Sequence, residues 1–334
     1  MIGGVMGEER ARSAAEVLYR PAGWGDLEAA NALSNRAALV DDTDEIVELE
    51  DQRVEWQRAD FVLESDVRVA VHPEAGVVAW AEAGVASSPR DGVIRAHAGG
   101  VVVPEWRGLG IGSQLLEWCA VRAREKAREK HPGLPVVVGA WGREERSDAA
   151  QLLVDHGFVV ARYFSDMRVS LEQWQPSEQA VPAPGGPRLE LRAPTVEDAE
   201  AVRLAHNEAF QDHWGSSEQS AQRWSQMWAK RVFRPGLSRI AVDEASGEVL
   251  AYVLSEEWVA GEQYVSLVGT RREARGLHLA STLLQQVLAA GRAAGLEKAE
   301  LGVDAASPTG ANGVYERAGF SVVRTGVSME RPAE

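Results

Sequence analysis

Two sequence marks occur twice in this chain, in the same order, and that duplication constrains the fold more than any other feature. Glu105-Trp106-Arg107-Gly108-Leu109-Gly110-Ile111-Gly112-Ser113-Gln114-Leu115-Leu116 aligns without gaps to Glu273-Ala274-Arg275-Gly276-Leu277-His278-Leu279-Ala280-Ser281-Thr282-Leu283-Leu284. Further on, Asp155-His156-Gly157-Phe158 answers Arg317-Ala318-Gly319-Phe320, and Met167 answers Met329. An internal repeat sets the domain count before any local reading. At 334 residues the chain is long enough for two ordinary domains.

The first mark reads as the end of a strand, a tight glycine turn and the opening of a helix. Such a turn makes a phosphate cradle, because backbone N–H groups converge on the anion and the helix dipole adds partial positive charge. Glycine lets the backbone close on the phosphate oxygens. The spacing is neither that of the nucleoside-triphosphate loop nor that of the dinucleotide fingerprint. It is Arg-x-x-Gly-x-Gly, at Arg107, Gly110 and Gly112, after Val102-Val103-Pro104.

That pattern resembles the pyrophosphate-binding segment of the GNAT acyl-CoA N-acyltransferases. The resemblance covers nearly the whole chain apart from its N-terminal end and a linker. The tandem arrangement is similar to that of mycothiol synthase-like two-domain acetyltransferases of actinobacteria. Asn207-Glu208-Ala209-Phe210 and Leu301-Gly302-Val303-Asp304 fit the broader tandem group. The expected fold is a mixed-sheet α/β (α+β) architecture of two tandem GNAT domains.

Pro, Gly and polar residues crowd residues 173–187, a composition that continues neither helix nor strand. The expected division is an N-terminal domain at 1–172, a linker at 173–187 and a C-terminal domain at 188–334. In the second half, Arg188 to Arg192 alternates as a strand, and Thr195-Val196-Glu197-Asp198 opens a helix through about Phe210. A second helix is expected from Ala221 to Val232, with Trp224 and Trp228 on one face. A hairpin turns at Ser246-Gly247. A strand from Tyr264 to Thr270 feeds the second cradle, whose helix runs to about Ala294. A strand at Ala299–Asp304, a helix carrying Tyr315 and a final pair of strands complete the expectation.

Acetyl transfer from a thioester to an amine needs a held cofactor, donors for the carbonyl oxygen, a neutral amine and a proton for the thiolate. The resemblance implies acetyl-CoA as co-substrate, with no metal. Its contacts are expected at Val268-Gly269-Thr270 and Arg275-Gly276-Leu277-His278-Leu279-Ala280-Ser281. The first copy offers Val101-Val102 and Arg107-Gly108-Leu109-Gly110-Ile111-Gly112-Ser113. The family places its general acid four residues before the Gly of Gly-Phe, which is Tyr315. The equivalent in the first half is Leu153, which has no proton to give, so catalysis is assigned to the second half. His278 departs from the pattern at the first cradle glycine, and Ala280 stands within it.

The resemblance would put a base at the register position of Tyr264. Glu262, two residues earlier, shares that strand face and is the candidate base. Phe210, His213, Trp214 and Glu256 are the candidate acceptor-binding residues. The acceptor class is a small-molecule amine. A competing reading is a non-catalytic acyl-CoA-binding protein that uses the intact first cradle.

A net charge of −15 argues against nucleic acid as a partner. No apolar run reaches a membrane span and no signal-peptide pattern opens the sequence, so a cytoplasmic location is expected, without membrane association. Either a monomer or a homodimer is compatible with the sequence. Cys119 stands alone, which rules out an intramolecular disulfide.

Overall fold

The computed structural model describes residues 15–41, 43, 46–58, 60–176, 186–213, 216–306 and 310–332. Trp214 and residues 177–185 of the expected linker lie outside the described residues. The chain divides into two compact units, residues 1–161 with 327–334, and residues 162–326.

In the first unit, β1 (Leu18–Pro21) precedes helices α1 (Leu27–Val40), α2 (Leu49–Trp56) and α3 (Leu63–Asp66). Strands β2 (Val67–His72), β3 (Gly76–Val85) and β4 (Ile94–Val102) follow, each antiparallel to its predecessor. Helix α4 (Ile111–Lys130) then crosses over to β5 (Val136–Trp141), which pairs parallel with β4 from Ile94↔Val136 to His97↔Gly139. α4 lies on β3 and β4 because Ile111, Leu115, Cys119, Ala123 and Ala127 form one buried stripe at helical spacing. Helix α5 (Asp148–Asp155) is N-capped by Ser147, whose oxygen accepts from the Ala150 N–H at 3.1 Å.

The chain leaves this unit through β6 (Val159–Ser170). In the second unit, β7 (Leu189–Arg192) is followed by α6 (Ala199–Ala209) and α7 (Ala221–Trp228). Asp198 closes a capping box with Thr195, and Arg192 holds it at 2.6 and 2.7 Å. Strands β8 (Arg239–Asp243), β9 (Val249–Glu256) and β10 (Glu262–Thr270) run antiparallel in succession. Helix α8 (Leu279–Ala293), β11 (Lys298–Asp304), α9 (Ala311–Arg317) and β12 (Ser321–Pro332) complete the chain. β12 is one long strand where a pair was expected. The main core of the first unit lies around Ile94, Ala120 and Val138, and that of the second around Val253, Leu283 and Leu301.

The compact units differ from the linear division. Residues 162–170 of β6 pair antiparallel with β11, from Phe164↔Asp304 to Ser170↔Lys298, inside the second unit. The end of β12 pairs antiparallel with β5, from Ser328↔Trp141 to Pro332↔Val137, inside the first. Each half therefore gives the end of its last strand to the other unit. Ion pairs flank the exchanged strands: Glu330 takes Arg95 at 3.2 Å, Arg331 takes Glu117 at 2.7 Å, and Arg168 takes Glu300. The start of the expected linker is also anchored, because buried Trp174 donates its indole N–H to the Ala318 carbonyl at 2.9 Å.

Candidate active site

In the second unit, β10 and β11 are in register only from Glu262↔Lys298 to Tyr264↔Glu300. Beyond Tyr264 each strand stays with its outer neighbour, β10 with β9 and β11 with β6, so the two diverge. A bulge between Val265 and Leu267 sharpens the divergence. The opening is a cleft of about 950 Å³ whose walls are Val265–Thr270 on one side and Gly302–Asp304 on the other. N–H groups of β10 that point away from β9 face into it, since ladder partners alternate along an antiparallel strand.

The floor of this cleft depends on one glycine. A Cβ on Gly269 would stand 2.3 Å from Tyr252 Oη. Tyr252 is fully buried, and its hydroxyl lies 2.7 Å from His206 Nδ1. Burial, with a smaller contribution from His213, pushes the His206 imidazole down to about 4, so it is neutral at pH 7.

The mouth is the second cradle. Gly276 at φ +86° and His278 at φ +60° turn the backbone into α8. Space around the missing Gly276 Cβ is open. The first N–H groups of α8 have no intrahelical partner, and Leu279, Ala280 and Ser281 line the cleft beside them. An elongated phosphorylated thioester such as acetyl-CoA fits this arrangement: an anion site at a helix N-terminus, continued by a mostly apolar slot. Arg275 lines the mouth and also donates to the Ala209 carbonyl at 3.2 Å.

Tyr315 reaches the same cleft from α9. It is only 8% exposed and packs edge-on to Phe320 at 6.2 Å. Burial, then the neighbouring Tyr264, pushes its phenol up to about 12. It therefore keeps its proton at neutral pH.

Residues 199–320 match the model of the acetyltransferase (GNAT) family. Over 242 residues the chain is 30% identical to a mycothiol acetyltransferase of Mycolicibacterium smegmatis, covering 70% of this chain and 75% of that one. The chain belongs to the GNAT family. A GCN5-related N-acetyltransferase from Sphaerobacter thermophilus is 28% identical, with a TM-score of 0.71 over 95% of this chain and 96% of the other. A tandem GNAT protein from the clavulanic acid biosynthesis pathway shares the fold at 19% identity, with a TM-score of 0.65 over 96% and 99% of the two chains. The expected fold of tandem GNAT domains is thus borne out. The activity is that of an acyl-CoA-dependent N-acyltransferase. GNAT acetyltransferases use acetyl-CoA. Among the described residues no helix is long and apolar enough to cross a membrane, and no group of three His, Cys, Asp or Glu could hold a metal.

The first GNAT unit repeats the cradle with different surroundings. Gly108 and Gly110 have φ of +75° and +80°, and Gly110 caps α4. Arg107, however, is turned from the mouth: it makes a two-point ion pair with Asp41 at 2.6 and 2.9 Å and donates to the Val102 carbonyl at 3.0 Å. Leu152 of α5 comes within 3.2 Å of where a Gly112 Cβ would stand, with Val102 at 3.7 Å. Leu153, at the position of Tyr315, is buried in the core. Ile111 and Val103 join that core, and Val101, Val102 and Leu109 pack against it.

The structure brings most of the expected second-unit residues together. Val268, Gly269, Thr270, Arg275, Gly276, His278, Leu279, Ala280, Ser281 and Tyr315 all line the cleft, as do Phe210 and His213. Leu277 instead is partly buried and packs against the core. Two carboxylates lie apart from the cleft lining. Glu262 lies at the closed end of the strand pair, where Lys298 holds it at 2.9 Å, and it does not line the cleft. Glu256 is buried at the end of β9 and accepts from Trp258 Nε1 at 2.8 Å, also outside the cleft lining. Sequence reasoning missed Tyr252 and His206 beneath Gly269, and Phe164, which β6 brings into the lining. β9 is buried along its whole length, so its sequence pattern does not single out Tyr252, and nothing local links it to His206.

Proposed function

We propose that the second unit moves the acetyl group of acetyl-CoA to the amine of a small molecule by direct attack, with Tyr315 as general acid. The observation that carries this reading is the presence of the buried Tyr315 phenol in the same cleft as the first turn of α8. A phenol near 12 holds its proton until the C–S bond breaks and a thiolate forms. Thiols ordinarily titrate near 8.5, but the desolvation that raises the phenol also raises a thiolate in that place, which narrows the gap. Donors on β10 that face the opening would meet the carbonyl oxygen as negative charge develops there.

The first unit is read as a supporting module. Arg107 is committed to Asp41, and Leu153 offers no proton. The test is release of free thiol from acetyl-CoA by the full chain with a panel of primary amines. Amine-dependent release is expected. Release no faster with any amine than without would contradict the reading.

A further inference from the structure

Tyr264 is the last residue of β10 in register with β11, at the point where the cleft begins. Its side chain runs forward over β11 to Gly302. A Cβ at position 302 would stand 3.3 Å from Tyr264 Oη and 3.7 Å from Asp166 Oδ1. Asp166 lies directly opposite Gly302 on β6. The absent side chain at 302 thus leaves the gap in which a phenol of β10 and a carboxylate of β6 converge.

Two further observations mark this gap as a place for a ligand. Gly302, Val265 and Ser266 line the cleft that holds Tyr315, while Tyr264 and Asp166 stand just outside that lining, so the gap adjoins the cleft at Gly302. Tyr264 is also 36% exposed, so part of its ring is accessible to an incoming molecule. Glu300 beside it is held by Arg168 and Lys298. Burial, then Asp166 and Glu256, push the Tyr264 phenol up to about 12, which keeps it neutral.

We propose that Tyr264 and Asp166 form the acceptor subsite, in which the Asp166 carboxylate holds the ammonium of a primary amine and the Tyr264 oxygen accepts one of its N–H groups. The inference rests on acetyl transfer taking place in the second unit. It makes a strand from the first half of the chain supply a substrate-binding residue to the second. The ammonium loses one proton through the Asp166 carboxylate to water, and the freed lone pair attacks the thioester carbon. The C–N bond forms, the C–S bond breaks with its electron pair going to sulfur, and Tyr315 protonates the thiolate and takes a proton back from solvent. The second amine proton passes to solvent. Negative charge at this subsite repels an acceptor with a carboxylate beside its nitrogen, so amines are favoured over amino acids.

Asp166→Asn and Tyr264→Phe test this in the full chain, with tyramine, 1,4-diaminobutane and tyrosine as acceptors. Wild type should prefer tyramine to tyrosine. In both variants the KM for the better amine should rise about tenfold or more, the scale of losing one charge-assisted hydrogen bond. KM for acetyl-CoA should stay within about twofold, because the cradle is untouched. Asp166→Asn should also narrow the tyramine-over-tyrosine preference. Tyr264→Phe removes one oxygen from a half-exposed ring and guards against a folding defect in the other variant. Unchanged amine KM in both folded variants, with wild type active, overturns the subsite alone. If wild type acetylates none of the amines, the subsite falls together with the reading it rests on.

Discussion

The Tyr252 hydroxyl lies 2.7 Å from His206 Nδ1, and the same oxygen stands where a Cβ on Gly269 would need to be. A buried polar pair thus sets the height of the strand that forms one wall of the cleft. Because Tyr252 is fully buried, its ring has no room to swing aside.

Gly269→Ala should therefore lift β10 into the cleft instead of displacing the ring. Overpacking of this kind costs about 1–3 kcal/mol. Urea unfolding should show that loss, and KM for acetyl-CoA should rise about tenfold. A variant with normal stability and normal KM would show that the floor yields.

His206 makes stability depend on pH. Its folded value near 4 is below the unfolded value near 6.5, so the unfolded chain binds the proton more readily across that window. Stability from this group is complete above about 6.5 and is lost as pH falls toward 4. The share lost between pH 7 and pH 5 is about 2 kcal/mol. His206→Asn keeps a polar atom near Nδ1 but does not titrate. Its urea midpoint should fall less than that of wild type between those two pH values. Parallel shifts would assign the acid sensitivity to other groups.

Much of the fold was legible because the cradle turns and the Gly-Phe marks are local and occur twice. The strand exchange was not legible. Which edge accepts Val159–Ser170 is decided by pairings with residues far along the chain, such as Arg168 with Glu300. Glu262 shows the limit of face arguments. Period-2 alternation puts it on the same face as Tyr264, but parallel pairing with Lys298 keeps it at the closed end. Arg107 likewise reads as a phosphate contact until its partner Asp41, far away in sequence, is seen.

Arg107→Ala separates support from catalysis. The two-point pair with Asp41 and the bond to the Val102 carbonyl tie the first cradle to α1. Their loss should lower stability by about 1–2 kcal/mol, because the pair is partly exposed. kcat and KM for acetyl-CoA should be unchanged. A selective rise in that KM would place cofactor chemistry in the first unit.

His278 adopts a left-handed conformation, φ +60°, where glycine is at ease and other residues are strained. His278→Gly should leave acetyl-CoA affinity unchanged or tighter by calorimetry, since the backbone donors remain. Weaker binding, more so near pH 6 than near pH 8, would show instead that the imidazolium touches phosphate.

The most direct test of catalysis by the second unit is the kcat of Tyr315→Phe beside its acetyl-CoA dissociation constant. The phenol is proposed to act on a thiolate that exists only late in the reaction, so ground-state binding should be spared. The account predicts a kcat lower by about 10²–10⁴-fold with a dissociation constant within about twofold of wild type. Equal kcat in the two proteins from pH 6 to pH 9 would contradict it.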